Sequence, residues 1–227
     1  MKRVWQTKAQ KDVFSTLLFS SGISVGLLAT RILVTGTWRL WFLLWNLFLA
    51  WLPLLFAFWL KIRLKGGKIP TWKELLIGGI WLLFLPNSFY LISDLIHLQS
   101  SGEVSVLFDT ALIASFVING LIIGYLSLYI VHVIVKRYFN VKTAYIFAQF
   151  VLFLCGFAIY LGRYLRWNTW DILINPAGLV FDVSDRIINP GTHMHTFVVT
   201  GVFYILLGSV YAVVYRLAEI ARSTSKH

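Results

Sequence analysis

Six apolar runs, each long enough to cross a bilayer, take up most of this chain: Phe14–Val34, Leu40–Leu60, Leu75–Leu98, Val106–Val135, Ala144–Tyr164 and His195–Tyr215. A hydrocarbon core takes about 20 consecutive apolar residues of helix. Irregular backbone cannot face lipid, because nothing there satisfies its N–H and C=O groups. The expected fold is therefore all-α: a polytopic bundle of about six transmembrane helices forming a single integral membrane domain over 1–227. Only 13% of the 227 residues are charged and the mean hydropathy is +0.78, which leaves no stretch for a separate soluble domain. The single cysteine, Cys155, rules out an intramolecular disulfide. No small-x-small cleavage site follows "MKRVWQTKAQK", so the first run reads as an uncleaved span.

A formal charge of +11 raises the question of nucleic acid, and the placement of the charges answers it. With the N-terminus inside, the N-terminal segment, the Lys61–Lys73 loop, the Lys136–Lys142 loop and the C-terminal tail carry 4, 5, 3 and 3 basic residues. The other side has only Arg31, Arg39, Arg163, Arg166 and Arg186. This is a positive-inside pattern. It points to a bacterial cytoplasmic membrane with both termini cytoplasmic, to membrane lipids as the partners, and away from nucleic acid. Protein partners cannot be read from it. Acids run the other way, with Asp94, Glu103, Asp109, Asp171, Asp182 and Asp185 all at or near the outer side, joined there by His97, His193 and His195. Groups able to do acid–base or metal chemistry are thus gathered at one face.

The third run ends in "FLPNSFYLISDLIHL", Phe84 to Leu98. On an α-helix, at about 100° per residue, Asn87, Tyr90, Asp94 and His97 fall within a sector of roughly 80°. That is a polar stripe on a membrane helix, rising toward the outer surface. Pro86 should kink the helix, with Asn87 or Ser88 capping the outer half. Such stripes face the bundle interior or a water-filled cavity. A structural role is the alternative: Asn87 repairing the kink, Tyr90 in the aromatic belt and Asp94 paired with an arginine.

Asp109 opens the fourth run on the same side, and Gly120-xxx-Gly124 lower down suits close helix packing. The fifth run puts Gln149, Gly156, Tyr160 and Arg163 on one face, with Arg163 a natural partner for Asp94 or Asp109. "RYLRWNTWD" then makes a polar-aromatic turn in which Arg166, Trp167, Asn168, Trp170 and Asp171 are candidate substrate-binding residues with Asn87, Tyr90 and Arg163. Asn175-Pro176 reads as an N-cap followed by proline at the first helical position. It opens a short amphipathic interfacial helix over about 176–188, with Leu179, Val180, Val183 and Ile187 set against Asp182, Asp185 and Arg186.

"FLPNSFYLISDLIHL", "GRYLRWNTWD" and "NPGTHMH" resemble the bacterial membrane-protein family catalogued as domain of unknown function 1361, over roughly Leu75 to Tyr215. Family members often have serine where this chain has Thr169, a change that keeps the hydroxyl. The resemblance implies fold and location only. Ser93-xxx-His97 followed by Asp109 is in turn similar to a pattern in the alkaline ceramidases and adiponectin-receptor-like proteins. That likeness implies a zinc site with His97 as ligand and Ser93 and Asp109 as site residues. The last-helix His-xxx-His of those proteins is replaced here by His193-x-His195. Two histidines at i and i+2 point about 200° apart on a helix, so both reach one metal only from a turn or extended segment.

Three functions are compatible with these features. The favoured one is a metal-dependent hydrolase of a lipid amide or ester at the outer leaflet. In it zinc is held by His97 with His193 or His195, and Asp94 or Asp109 is the general base or orients the metal's ligands. The others are an ion or small-solute transporter built on the broken third helix, and a non-catalytic scaffold in which the Arg–Asp cluster is a structural network.

Overall fold

A computed structural model describes residues 8–98 and 103–224. The basic residues within 1–7 and 225–227 that entered the charge asymmetry lie outside the described residues. All regular structure among the described residues is helical. Six helices are long and apolar enough to cross a membrane: Gln10–Thr35, Phe42–Arg63, Trp72–His97, Val106–Tyr138, Val141–Tyr164 and Met194–Ala221. They coincide with the six expected runs, with ends moved by a few residues. In chain order the helices are α1 (Lys8–Thr35), α2 (Phe42–Arg63), α3 (Trp72–Tyr90), a 3-10 helix (Leu91–His97), α4 (Val106–Tyr138), α5 (Val141–Tyr164), α6 (Asp171–Ile174), α7 (Pro176–Ile188) and α8 (Met194–Thr224). Apolar side chains form the core and also much of the outer surface, and some polar groups are buried among them. Phe19, Leu33, Phe48 and Ile118 are exposed, whereas Ser24, Arg31, Asp94 and Asn119 are buried. Lipid is the solvent that makes this arrangement stable.

The chain forms two compact units, Met1–Ile134 and Val135–His227. In the first, α2 packs along α3, and the Ser88 hydroxyl donates across to the Ala50 carbonyl at 2.8 Å. Glu74 ties the near ends of these helices together. It accepts from the Thr71 N–H at 2.9 Å and from the Thr71 hydroxyl in a capping box, and from Arg63 Nε at 2.5 Å. Helix α4 approaches α3 through its glycines. A Cβ on Gly120 would stand 2.6 Å from the Ser88 carbonyl oxygen, and one on Gly124 would stand 2.9 Å from Phe89. The close-packing role expected of Gly120-xxx-Gly124 is what these distances describe. Asn119 of α4 binds α1, donating to Ser24 Oγ at 3.0 Å and accepting from Ser21 Oγ at 3.5 Å.

Pro86 lies inside α3, and the Asn87 side-chain amide donates back to the Phe84 carbonyl at 3.0 Å. The change of helix type comes beyond the proline, at Leu91, where the chain tightens to 3-10 geometry.

In the second unit α5 packs along α8. Gly156 makes this possible, since a Cβ there would lie 2.8 Å from the Thr200 carbonyl oxygen. Asn140 caps α5 by accepting from the Thr143 N–H at 2.7 Å. The expected interfacial helix is α7, with Asn175 accepting from the Gly178 N–H at 3.1 Å and Pro176 at its first position.

Candidate functional site

In each unit the outer-side acids and histidines singled out from the sequence lie at one end. In the first unit this is where α1 finishes, α2 begins, the 3-10 helix runs and α4 starts. Arg31 of α1 has no exposed side-chain surface. Its Nε donates to Asp109 Oδ1 at 2.8 Å and Nη2 to Asp109 Oδ2 at 3.3 Å. Nη2 also meets Glu103 Oε2 at 2.9 Å, while Nη1 donates to Thr37 Oγ1 at 3.1 Å. Asp109 sits in the first turn of α4, where helix-end N–H groups also favour an anion. The arginine that takes Asp109 is therefore Arg31 of the first span. Both Asp109 oxygens are thereby committed to Arg31.

The polar stripe is only partly a single line. Over Leu91–His97 each residue turns about 120° rather than 100°, so Asp94 and His97 stand over one another, while Asn87 and Tyr90 belong to the preceding α-helix. Asp94 is 1% exposed, and its Oδ2 accepts from Asn46 Nδ2 of α2 at 2.8 Å. The His97 ring packs on Phe42, with centroids 4.9 Å apart. Ser93 donates to the Tyr90 carbonyl at 2.6 Å, a backbone-directed bond of the turn itself. Sequence reading placed Arg31 on the outer side without giving it a role, and passed over Asn46. The signal for both was present: each is a polar interruption of an apolar span, where such residues are functional or paired.

In the second unit the gathered end lies between the finish of α5 and the start of α8. The chain leaves α5 through Arg166, whose φ of 60° is left-handed, a conformation uncommon for a residue with a Cβ. Arg166 is exposed and Arg163 half-buried. The adjoining turn is closed locally: the Asn168 N–H donates to Asp171 Oδ2 at 2.6 Å. Asn168 and Asp171, unexplained by a simple tryptophan belt, thus have a turn-forming role. Trp170 is half-buried beside them. Trp167 Nε1 donates to Asp182 Oδ2 of α7 at 2.7 Å, and Arg186 Nη1 donates to the Asp182 carbonyl at 2.6 Å and lies 3.4 Å from Oδ1.

One helical turn on, Asp185 accepts from Asn189 Nδ2 at 2.7 Å through Oδ1, and its Oδ2 meets His193 Nε2 at 2.7 Å. The Asn189 amide first and the His193 ring second hold the Asp185 carboxyl below the usual carboxylate range. His193 occupies the turn before α8 and His195 the first turn of α8. Their rings have different surroundings: His193 meets the carboxylate, whereas His195 lies edge-on to Tyr164 and Tyr160, with centroids 4.6 and 5.9 Å apart. Among the described residues no three His, Cys, Asp or Glu side chains are grouped so as to hold a metal ion. The Asp185–His193 pair was not foreseen as a unit, although both residues stood among the outer-side groups.

The six apolar helices and the buried polar ends define a multi-pass, all-helical membrane protein. Residues 45–209 match the family described as "Protein of unknown function (DUF1361)", and the chain belongs to that family. No curated protein and no solved structure matches it. The likeness of Ser93-xxx-His97 and Asp109 to the alkaline ceramidases is not among these matches.

Proposed function

We propose that this protein hydrolyses an ester or amide of a lipid at the outer leaflet of a bacterial cytoplasmic membrane, with His193 as general base. The observation that supports this reading most is the His193–Asp185 contact at 2.7 Å, with Asn189 steadying the same carboxylate. A carboxylate on one ring nitrogen fixes the tautomer and leaves the other nitrogen to take a proton from water. The exposed Arg166 and half-buried Trp167 and Trp170 border this end of the unit, where headgroups lie. Zinc held by His97, His193 and His195 is the further proposal that the ceramidase likeness brings. Each histidine has its own neighbour, Phe42 for His97, Asp185 for His193 and Tyr164 for His195, and the base role of His193 needs no metal.

The test is turnover of lipid esters and amides by protein reconstituted in vesicles, read by mass spectrometry. His193→Ala and Asp185→Asn should each lose most activity while remaining folded, and undiminished turnover in His193→Ala would sink the reading. Metal content of the same preparations bears on zinc. Near-stoichiometric zinc that disappears only in His97→Ala would transfer the chemistry to a metal.

A second reading, an ion or solute transporter, draws support from Asp94. It is a carboxylate buried in the 3-10 segment of the third span and held by Asn46, and departures from α-geometry at membrane depth are where transporters place their sites. Coupled flux lost in Asp94→Asn would favour it.

A further inference from the structure

Residues 61–73, which finish α2, make the turn and open α3, include five basic residues. Glu74 is the one acid between Asp12 and Asp94, and Arg63 already meets it at 2.5 Å. Positive charge is therefore left in excess at this end of the helix pair. Gly66 and Gly67 reverse the chain with φ of 81° and 74°, backbone that glycine adopts at little cost. Lys65 and Lys68 flank them, and both are exposed.

Excess charge beside a membrane span is common. This turn adds an apolar surface to it. Trp72 opens α3 and is 69% exposed. The exposed Lys73 lies over it, with Nζ 5.7 Å from the ring centroid, within cation–π range. Trp72, Leu76, Gly79 and Leu83 recur at i, i+4, i+7 and i+11, which makes one stripe along the helix. Leu76 and Leu83 are exposed, and a Cβ added to Gly79 would meet nothing within 4 Å. The stripe thus has an open notch in its middle, and its first residue stands under an exposed ammonium. By contrast, α7 exposes Val180, Phe181, Ile187 and Ile188 while its Arg186 is 8% exposed. Apolar face and cation do not share one surface there.

We propose that the α2–α3 turn is a binding site for an anionic phospholipid. The phosphate sits at Lys73, with Lys65 and Lys68 adding to the attraction, and one acyl chain runs along the stripe from Trp72 to Leu83. An ammonium holds phosphate as a point charge, and lysines clustered beside a span attract anionic headgroups. With the orientation that the charge asymmetry favours, this lipid belongs to the cytoplasmic leaflet. Neither the site nor its ligand depends on the hydrolase reading.

The experiment measures binding alone. Full-length protein in detergent is titrated with phosphatidylglycerol, with phosphatidylcholine of the same chains and with inorganic phosphate, and bound species are counted by native mass spectrometry. Phosphatidylglycerol should bind most tightly, and its binding should weaken as ammonium acetate is raised. Lys65→Gln with Lys68→Gln and Lys73→Gln should weaken it by about tenfold or more. Lys11→Gln with Arg137→Gln and Lys142→Gln, which removes as many exposed cations elsewhere, should leave most of the binding. Gly79→Leu fills the notch and keeps every lysine, so it should weaken the lipid without changing the salt dependence. Equal losses in the two triple variants would overturn the proposal, because general charge attraction would then suffice. Unchanged lipid binding in Gly79→Leu would overturn it too. So would phosphatidylcholine or inorganic phosphate matching phosphatidylglycerol, or binding indifferent to salt, both read on the wild type whether or not a variant folds.

Discussion

Arg31 and Asp109, 78 positions apart, meet at two points, Nε to Oδ1 at 2.8 Å and Nη2 to Oδ2 at 3.3 Å. Neither helix could bring such a charge into the bundle cheaply by itself. The fork geometry, with Glu103 and Thr37 on the remaining donors, makes the pair a fixed joint between α1 and α4 rather than a loose attraction.

Breaking this joint on one side should cost more than removing both halves. Arg31→Met leaves Asp109 buried and unpaired, a loss on the order of 3–5 kcal/mol. Arg31→Met with Asp109→Leu should recover much of it. Thermal unfolding of the two singles and the double in detergent checks this. Arg31→Lys should rescue poorly, because an ammonium cannot reproduce the two-point contact.

The glycines of the α3–α4 and α3 surfaces should respond in opposite directions. Gly120→Ala sets a methyl 2.6 Å from the Ser88 carbonyl oxygen, a backbone atom with little freedom to yield, and should cost about 1–3 kcal/mol. Gly78→Ala meets nothing within 4 Å and should be neutral or gain up to about 1 kcal/mol from helix propensity. Both are read from the same unfolding curves.

Asp94→Asn and His193→Ala separate the two functional readings. The first keeps one oxygen for Asn46, replaces the other with an NH2 group and removes the charge. For a hydrolase that works through His193, Asp94→Asn should keep most turnover and His193→Ala should lose it. A transporter would show the reverse in a flux assay on the same vesicles.

Acid should loosen the α7–α8 turn. Asp185 is held below its ordinary range by Asn189 and His193, so its folded pKa is lower than its unfolded value of about 3.9. Its contribution is therefore complete above that value and lost as pH falls through the depressed one. Wild type should exceed Asp185→Asn in melting temperature at pH 6, with the gap closing below about pH 4.

Much of the fold was legible because a bilayer demands long apolar runs and loops demand something else. The bounds 176–188 were readable from Asn175-Pro176 at the start and Asn189-Pro190-Gly191 at the end, whose helix-starting and helix-stopping chemistry is local. The 3-10 tightening at Leu91 was not, since an apolar segment of the same composition serves either helix type. The site was legible by location more than by partnership. Outer-side acids and histidines were found as a group, yet Arg31–Asp109 and Asn46–Asp94 join distant spans, and nothing in residue spacing reports which distant charge will meet which. Asn168 and Asp171 drew attention as candidate ligand-binding groups, but a backbone N–H in their own turn uses the carboxylate.

On α7 the apolar Val180, Phe181, Ile187 and Ile188 are exposed, a surface that a bilayer would cover as a packing partner the chain does not encode. A native state completed from outside has the thermodynamics of a liganded protein: the stability of its α7 end varies with what is offered to it. Acyl-chain length, saturation and detergent choice are then variables of the folded state, as subunit concentration is for an obligate dimer. Measurements made in a poor lipid substitute describe an incompletely assembled molecule.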